Sequence, residues 1–166
     1  LEGKPTRLGK PSASLAAGIY LVPQEPMLFP NMTVEENVLM GFDEKYSTLH
    51  KRLTELLGHL DWSIDLGRKA ATLSIAEQQL VELLRGLMRD ARLLILDEPT
   101  SSLTFNEVES LFKIVADLKA KGISVIYITH RLTEVFQIAD EVLIMRDGVI
   151  TLHGPVADFT REMLVA

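Results

Sequence analysis

Two adjacent acids, Asp97 and Glu98, follow the apolar run Leu93-Leu94-Ile95-Leu96 and precede Pro99. An acid pair before proline can simply end a strand. Four buried-type residues feeding straight into it suit chemistry better: a hard cation such as Mg²⁺ takes carboxylate oxygen, and a hydrolytic water needs a base beside it. His130 follows the run Val125-Ile126-Tyr127-Ile128-Thr129, and Gln24 ends Gly18-Ile19-Tyr20-Leu21-Val22-Pro23 in the same way. Ser74 opens an amphipathic stretch and has Glu77 three residues on, a capping box complete in itself. A helix N-terminus with a serine hydroxyl is equally a natural phosphate site, and spacing alone does not separate the two. His50, His59 and His153 have no such context and are expected on the surface.

These residues must be positioned by alternating strands and helices. Leu49, Leu53, Leu56, Leu57 and Leu60 repeat at helical spacing, as do Leu80, Leu83, Leu84, Leu87 and Met88. Thr33 with Glu36 and Thr104 with Glu107 are further capping boxes, and Phe105, Val108, Leu111, Phe112, Val115 and Leu118 would form one helical face ended by Gly122. Residues 92–96 and 123–129 read as strands buried in a parallel sheet, joined by a right-handed crossover. Asp147-Gly148 predicts a hairpin between two terminal strands. The carboxyl ends of parallel strands lie on one edge, where open α/β sheets bind ligands. Gln24, Asp97, Glu98 and His130 are therefore expected together.

The totals agree with one globular unit. The chain has 166 residues, 47% hydrophobic and 24% charged, with 17 Lys+Arg against 23 Asp+Glu, a net charge of −6 that gives no basic field for nucleic acid. No cysteine is present, so disulfides, thiolate metal sites and cysteine nucleophiles are excluded. No apolar run approaches the roughly 18 residues of a membrane span, and the first residues lack a signal peptide's apolar stretch. Residues 3–12, with Gly3, Gly9 and Lys10, imitate a phosphate-binding loop, but the glycine spacing is wrong, Pro11 follows the lysine and no strand precedes. Met27, Leu28 and Phe29 have core packing as their ordinary role; exposed, they would form a docking patch.

Taken together, "GIYLVPQ", "LSIAEQQ", "LLILDEPTSSLT" and "YITH", in this order and spacing, resemble the Q-loop, signature, Walker B, D-loop and H-loop of ABC-transporter nucleotide-binding domains. The likeness covers residues 15 to 160 and is strongest to the tandem ATP-binding proteins of monosaccharide-type importers, those for autoinducer-2 in particular. It implies an α/β, P-loop NTPase-like parallel-sheet core, incomplete at the N-terminus, with an inserted helical subdomain: residues 1–24 and 86–166 in the core, 25–85 in the insertion. It further implies ATP and Mg²⁺ as ligands in the full-length protein. Asp97 and Gln24 would serve the metal, Glu98 would be general base, His130 would meet the γ-phosphate and Gln24 would sense the site. Ser74, Ile75, Ala76 and Glu77 would cap the ATP of an opposing domain in a head-to-tail dimer, with Ser101, Ser102, Leu103 and Thr104 crossing the interface. Residues 24–30 would meet membrane permease subunits, a periplasmic solute-binding protein would act indirectly, and the location would be peripheral, on the cytoplasmic side of the inner membrane.

Some positions depart from that pattern. Ile75 and Ala76 replace the two signature glycines, Glu77 replaces glutamine and adds negative charge near a phosphate, and Thr104 stands at a D-loop aspartate. The phosphate loop, N-terminal strands and adenine-stacking aromatic of such domains are expected upstream of Leu1, and the isolated chain is expected neither to bind ATP tightly nor to hydrolyse it. Two rival readings exist. A chromosome-maintenance ATPase would place a very long coiled coil where only 50 residues separate Gln24 from Ser74; the other rival is a truncated, non-catalytic interaction or regulatory module of a transporter.

Overall fold

The structure, a computed structural model, describes residues 1 and 3–165, with the side chains of all of these except 164 and 165. A short helix, α1 (Pro11–Ala16), leads to Gly18, whose φ of +76° turns the chain into strand β1 (Ile19–Val22). The Gly18 carbonyl accepts the N–H groups of Arg92 and Leu93 at 2.8 and 3.0 Å, which sets the register of β1 against β2 (Leu93–Asp97). Helix α5 (Phe105–Ala120) then crosses to β3 (Ser124–Ile128). The sheet is parallel with order β1-β2-β3, and the partners run Val22 to Leu96 and Asp97 to Ile128.

Between β1 and β2 lie α2 (Val34–Leu39), α3 (Tyr46–Leu60), a 3₁₀ turn (Ala70–Thr72) and α4 (Ile75–Leu87). The capping boxes at Thr33 and Ser74 are formed as their spacing predicts, each serine or threonine oxygen accepting the N3 N–H and each glutamate accepting the N-cap N–H. The box at Thr104 is formed as well, and there Glu107 accepts both the N–H and the hydroxyl of Thr104. After β3 come α6 (Leu132–Ile138), then β4 (Glu141–Arg146) and β5 (Val149–Pro155), an antiparallel pair turned at Asp147 and Gly148 with φ of +48° and +77°. Both positive angles are what a type I′ hairpin requires. A last helix, α7, spans Arg161–Val165.

Helices α4 and α5 cover the same sheet face. Val22, Leu94 and Leu96 are buried there in one core with Leu84 and Leu87 of α4 and Leu111, Val115 and Leu118 of α5. Gly86 lets α4 approach: a Cβ at that position would stand 2.7 Å from the Tyr20 ring. The opposite face is only partly covered, which corrects the expectation of strands buried on both faces: Ile19 is buried, while Leu21, Ile126 and Ile128 are 55%, 47% and 44% exposed. Phe105 also departs from its expected helical face; it lies in the first turn of α5, beyond the reach of the core, and is 78% exposed. No helix among the described residues is long and apolar enough to cross a membrane.

Candidate functional site

The parallel register puts the ends of β1, β2 and β3 on one edge, and Asp97 is the last, half-buried residue of β2. Glu98 follows with φ of +44°, a left-handed conformation that costs a non-glycine residue about 1–2 kcal/mol. Two hydrogen bonds hold it there: the Glu98 N–H donates to the Ile128 carbonyl at 2.9 Å, and the Glu98 carbonyl accepts the Ser101 N–H at 3.1 Å. The strand thus ends at once, with Glu98 level with the end of β3. There its Oε2 lies 3.2 Å from His130 Nδ1. The pair faces solvent, the His130 side chain being 69% exposed and that of Glu98 33%. An acid and an imidazole separated by 32 positions in the chain therefore meet beside Asp97, as the strand-end argument predicts.

Gln24 lies just past β1 at the same edge and is exposed; its carbonyl accepts Gln79 Nε2 at 3.2 Å. Its side chain makes no hydrogen bond with Asp97, Glu98 or His130 among the described residues. The loop beyond it is gripped by α4. Glu82, buried on that helix, accepts the Met27 N–H at 2.8 Å and the Tyr20 hydroxyl at 3.2 Å, and Arg85 bridges from the Glu82 carboxylate at 3.0 Å to the Met27 carbonyl at 3.1 Å. Burial, then the Glu82 charge, pushes the Tyr20 hydroxyl above its ordinary pKa. Asn37 holds the next turn, accepting the Phe29 N–H at 2.7 Å and donating to the carbonyls of Phe29 and Thr33. So fastened, the loop presents Met27 and Phe29 to solvent, 72% and 50% exposed, while Leu28 packs against the core. Core packing thus holds for Leu28 alone.

At the start of α4 the Ser74 hydroxyl is engaged in the capping box, and Arg68 clasps Glu77 with contacts of 2.5 and 3.3 Å. Those bonds from Arg68, then the Ser74 N–H, hold the Glu77 carboxyl below its usual range. The extra negative charge expected here is met within the chain. Ile75 is exposed and Ala76 half-buried. Ala76 and Leu103 line a common crevice of about 40 Å³, so the start of α4 and the segment Ser101 to Thr104 are neighbours. Ser101 and Leu103 are half-buried, Ser102 and Thr104 exposed. Ser74 and Glu77 make no hydrogen bond or ion pair with Asp97, Glu98 or His130 among the described residues. A larger cavity of about 530 Å³ lies along β3 and the start of β4, lined by Lys119, Ser124 and Asp140 among others, and none of the strand-end acids lines it.

Two carboxylates at this edge were not singled out by spacing: Glu82, and Glu134 on α6, which accepts the hydroxyls of Thr100, Tyr127 and Thr129. Each has an arginine three residues away in sequence, Arg85 within α4 and Arg131 at the start of α6, and that acid–base spacing was the available signal.

Comparison with known proteins fits this geometry. The ABC transporter family description matches residues 1–101. Over 165 residues the chain is 47% identical to the autoinducer 2 import ATP-binding protein LsrA of Enterobacter sp. (strain 638), covering 99% of this chain and 33% of that protein. It is 42% identical to the arabinose import ATP-binding protein AraG 1 of Burkholderia cenocepacia, covering 100% of this chain and 34% of the relative. Against the ribose import ATP-binding protein RbsA 2 of Rhizobium etli, identity is 41%, covering 99% of this chain and 34% of that one. The chain thus spans about a third of the length of these relatives. Among solved structures, an ATP-binding cassette of an ABC transporter in its ADP conformation superposes with a TM-score of 0.85 at 28% identity, over 99% of this chain and 71% of that one. A nucleotide-free cassette gives 0.81 at 28% identity, over 93% and 68%. A parallel sheet bearing Asp97, Glu98 and His130 on its carboxyl edge, matched in sequence and in fold by such cassettes, places this chain in the ABC transporter family.

Proposed function

We propose that this chain is part of the ATP-binding subunit of an importer that couples ATP hydrolysis to uptake of a sugar-like solute. The observation that carries this reading is the Glu98–His130 contact beside Asp97 at the strand ends. Identity to LsrA, AraG and RbsA supports the importer class, and the somewhat higher identity to LsrA supports autoinducer-2 as the solute.

The residues at the edge fit a magnesium nucleotide. Asp97 and Glu98 offer hard oxygen donors, and no group of three or more His, Cys, Asp or Glu able to hold a metal ion occurs among the described residues. That donor set suits a cation shared between one carboxylate and substrate phosphates rather than a cage of side chains. Bound there, Mg²⁺ would draw charge from the phosphate oxygens and open the phosphorus to attack. Asp97 would hold the cation with help from Gln24, and Glu98 would take the proton from the attacking water. With Nδ1 turned to Glu98, His130 keeps Nε2 for the γ-phosphate. Ser74 to Glu77 serve the nucleotide of a second domain, with Ser101 to Thr104 at the shared interface. Exposed Met27 and Phe29 dock on the permease, so the subunit sits at the cytoplasmic face of the membrane, and the solute arrives through a periplasmic binding protein. In this division of labour residues 25–85 form the helical subdomain and the flanks the α/β core.

Reconstitution of the full-length protein with its membrane subunits tests this reading. The expected result is ATP-dependent uptake of autoinducer-2 in preference to arabinose or ribose. Uptake of a pentose alone would overturn the solute, and uptake that needs no ATP would overturn the function.

A further inference from the structure

Behind the Glu98–His130 pair, one buried carboxylate ties together the two loops that carry it. Glu134 lies on α6, four residues after His130, and is 4% exposed. Its Oε1 accepts the Thr100 hydroxyl at 2.6 Å; its Oε2 accepts the hydroxyls of Tyr127 and Thr129, each at 3.0 Å. Arg131 Nη1 stands 3.6 Å from Oε1 and donates to the Thr100 carbonyl at 3.4 Å. Thr100 comes two residues after Glu98, and Thr129 immediately precedes His130.

A carboxylate is kept inside a fold only when hydrogen bonds and charge offset its lost hydration, and here three hydroxyls and a guanidinium do so. Consistent with this, burial and then the Glu134 charge hold the Tyr127 hydroxyl well above its ordinary pKa. Among the described residues the Glu134 carboxylate makes no hydrogen bond or ion pair with Glu98 or His130. It fixes the backbone one residue before the imidazole and two residues after the acid, and Thr100 is itself 2% exposed. Loops held this way have little room to move, and a misplacement of about 1 Å at a reacting group can cost on the order of 10²-fold in rate.

We propose that Glu134 is a positioning residue for hydrolysis: by binding Thr100 and Thr129 together it sets the spacing between Glu98 and His130. The inference rests on the reading of Glu98 and His130 as the hydrolytic pair. A purely structural Glu134 would change stability and leave turnover by the folded molecules alone.

The test is steady-state ATP hydrolysis by the full-length protein carrying Glu134→Ala, Glu134→Gln or Glu98→Gln, with melting temperature measured in parallel. Glutamine keeps the shape, can accept two hydroxyls and donate to the third, so it should be the milder change and guards against simple unfolding. Glu134→Ala is expected to lower kcat by about 10- to 100-fold with KM for ATP within about threefold, and Glu134→Gln to recover most of that loss. Hydrolysis lost on Glu98→Gln but unchanged per folded molecule in both Glu134 variants overturns this inference alone. Hydrolysis that survives Glu98→Gln at the wild-type rate overturns it together with the function on which it rests.

Discussion

The Glu82 carboxylate on α4 accepts the Met27 N–H at 2.8 Å, so the helix that begins at Ser74 holds the loop that begins at Gln24. Arg85, the Tyr20 hydroxyl and this N–H all depend on the same buried acid. Glu82→Ala would leave all three without their partner, and breaking a buried pair costs about 3–5 kcal/mol. Denaturant unfolding should show a loss of that size, and hydrogen exchange at the Met27 amide should quicken. A loss below about 1 kcal/mol with unchanged exchange would show that the clamp does not hold the loop.

Gly86 makes a second, independent claim. Alanine favours a helix interior by about 1 kcal/mol over glycine, yet a Cβ here would fall 2.7 and 2.8 Å from Cδ1 and Cγ of Tyr20, atoms close to the strand backbone. Overpacking of this kind costs about 1–3 kcal/mol. Gly86→Ala is expected to be net destabilising, whereas Gly58→Ala on α3, where nothing lies within 4 Å, should stabilise by a few tenths to about 1 kcal/mol. Equal gains at both positions would refute the close approach of α4 to β1.

The Arg68–Glu77 pair predicts a pH signature. In the folded chain the Glu77 carboxyl is held below its ordinary value of 4.5. A carboxyl shifted downward stabilises the fold fully above its unfolded pKa, and that stabilisation is lost as pH falls through the lower, folded value. The stability difference between the chain and its Glu77→Gln variant should therefore be largest near neutrality and shrink below pH 4.5. It should also be small, since both side chains are 37% exposed and solvent screens them. A difference that stays constant across the acid range would contradict the assignment.

Residues 3–12 bear on nucleotide binding by the chain itself. Gly3 and Gly9 stand in open space, residues 5–9 are irregular, and Pro11 occupies the first turn of α1 with no side-chain cap from Lys10. A phosphate cradle needs consecutive backbone N–H groups converging at a strand-to-helix turn, and proline supplies none. Calorimetric titration of Mg-ATP into this chain is expected to give no heat up to millimolar nucleotide. Micromolar affinity would overturn this reading of the segment.

Much of the site was legible in the amino-acid sequence because it follows from local rules. Capping oxygens at Thr33 and Ser74 act within three residues, Asp147-Gly148 selects its own turn, and strand ends at Asp97, Gln24 and His130 converge once the sheet is parallel. What escaped depends on packing between distant segments. Phe105 and Ile126 have apolar side chains yet face solvent, Phe105 because it lies in the first turn of α5 beyond the core and Ile126 because it points to the sheet face away from α4 and α5. Glu82 and Glu134 sit in helices where an acid usually marks the wet face, and their partners Met27, Thr100 and Tyr127 come from other elements. No spacing rule joins such residues; only the folded arrangement does.

The central claim is that Glu98, held against His130 at the strand ends, is the base for ATP hydrolysis. Steady-state hydrolysis by the full-length protein carrying Glu98→Gln, at saturating Mg-ATP, tests it most directly. A positioned general base is worth about 10²- to 10⁴-fold, so kcat should fall by at least about 10²-fold while nucleotide affinity stays near that of the unaltered protein. An unchanged kcat would contradict the account and assign the base to another group.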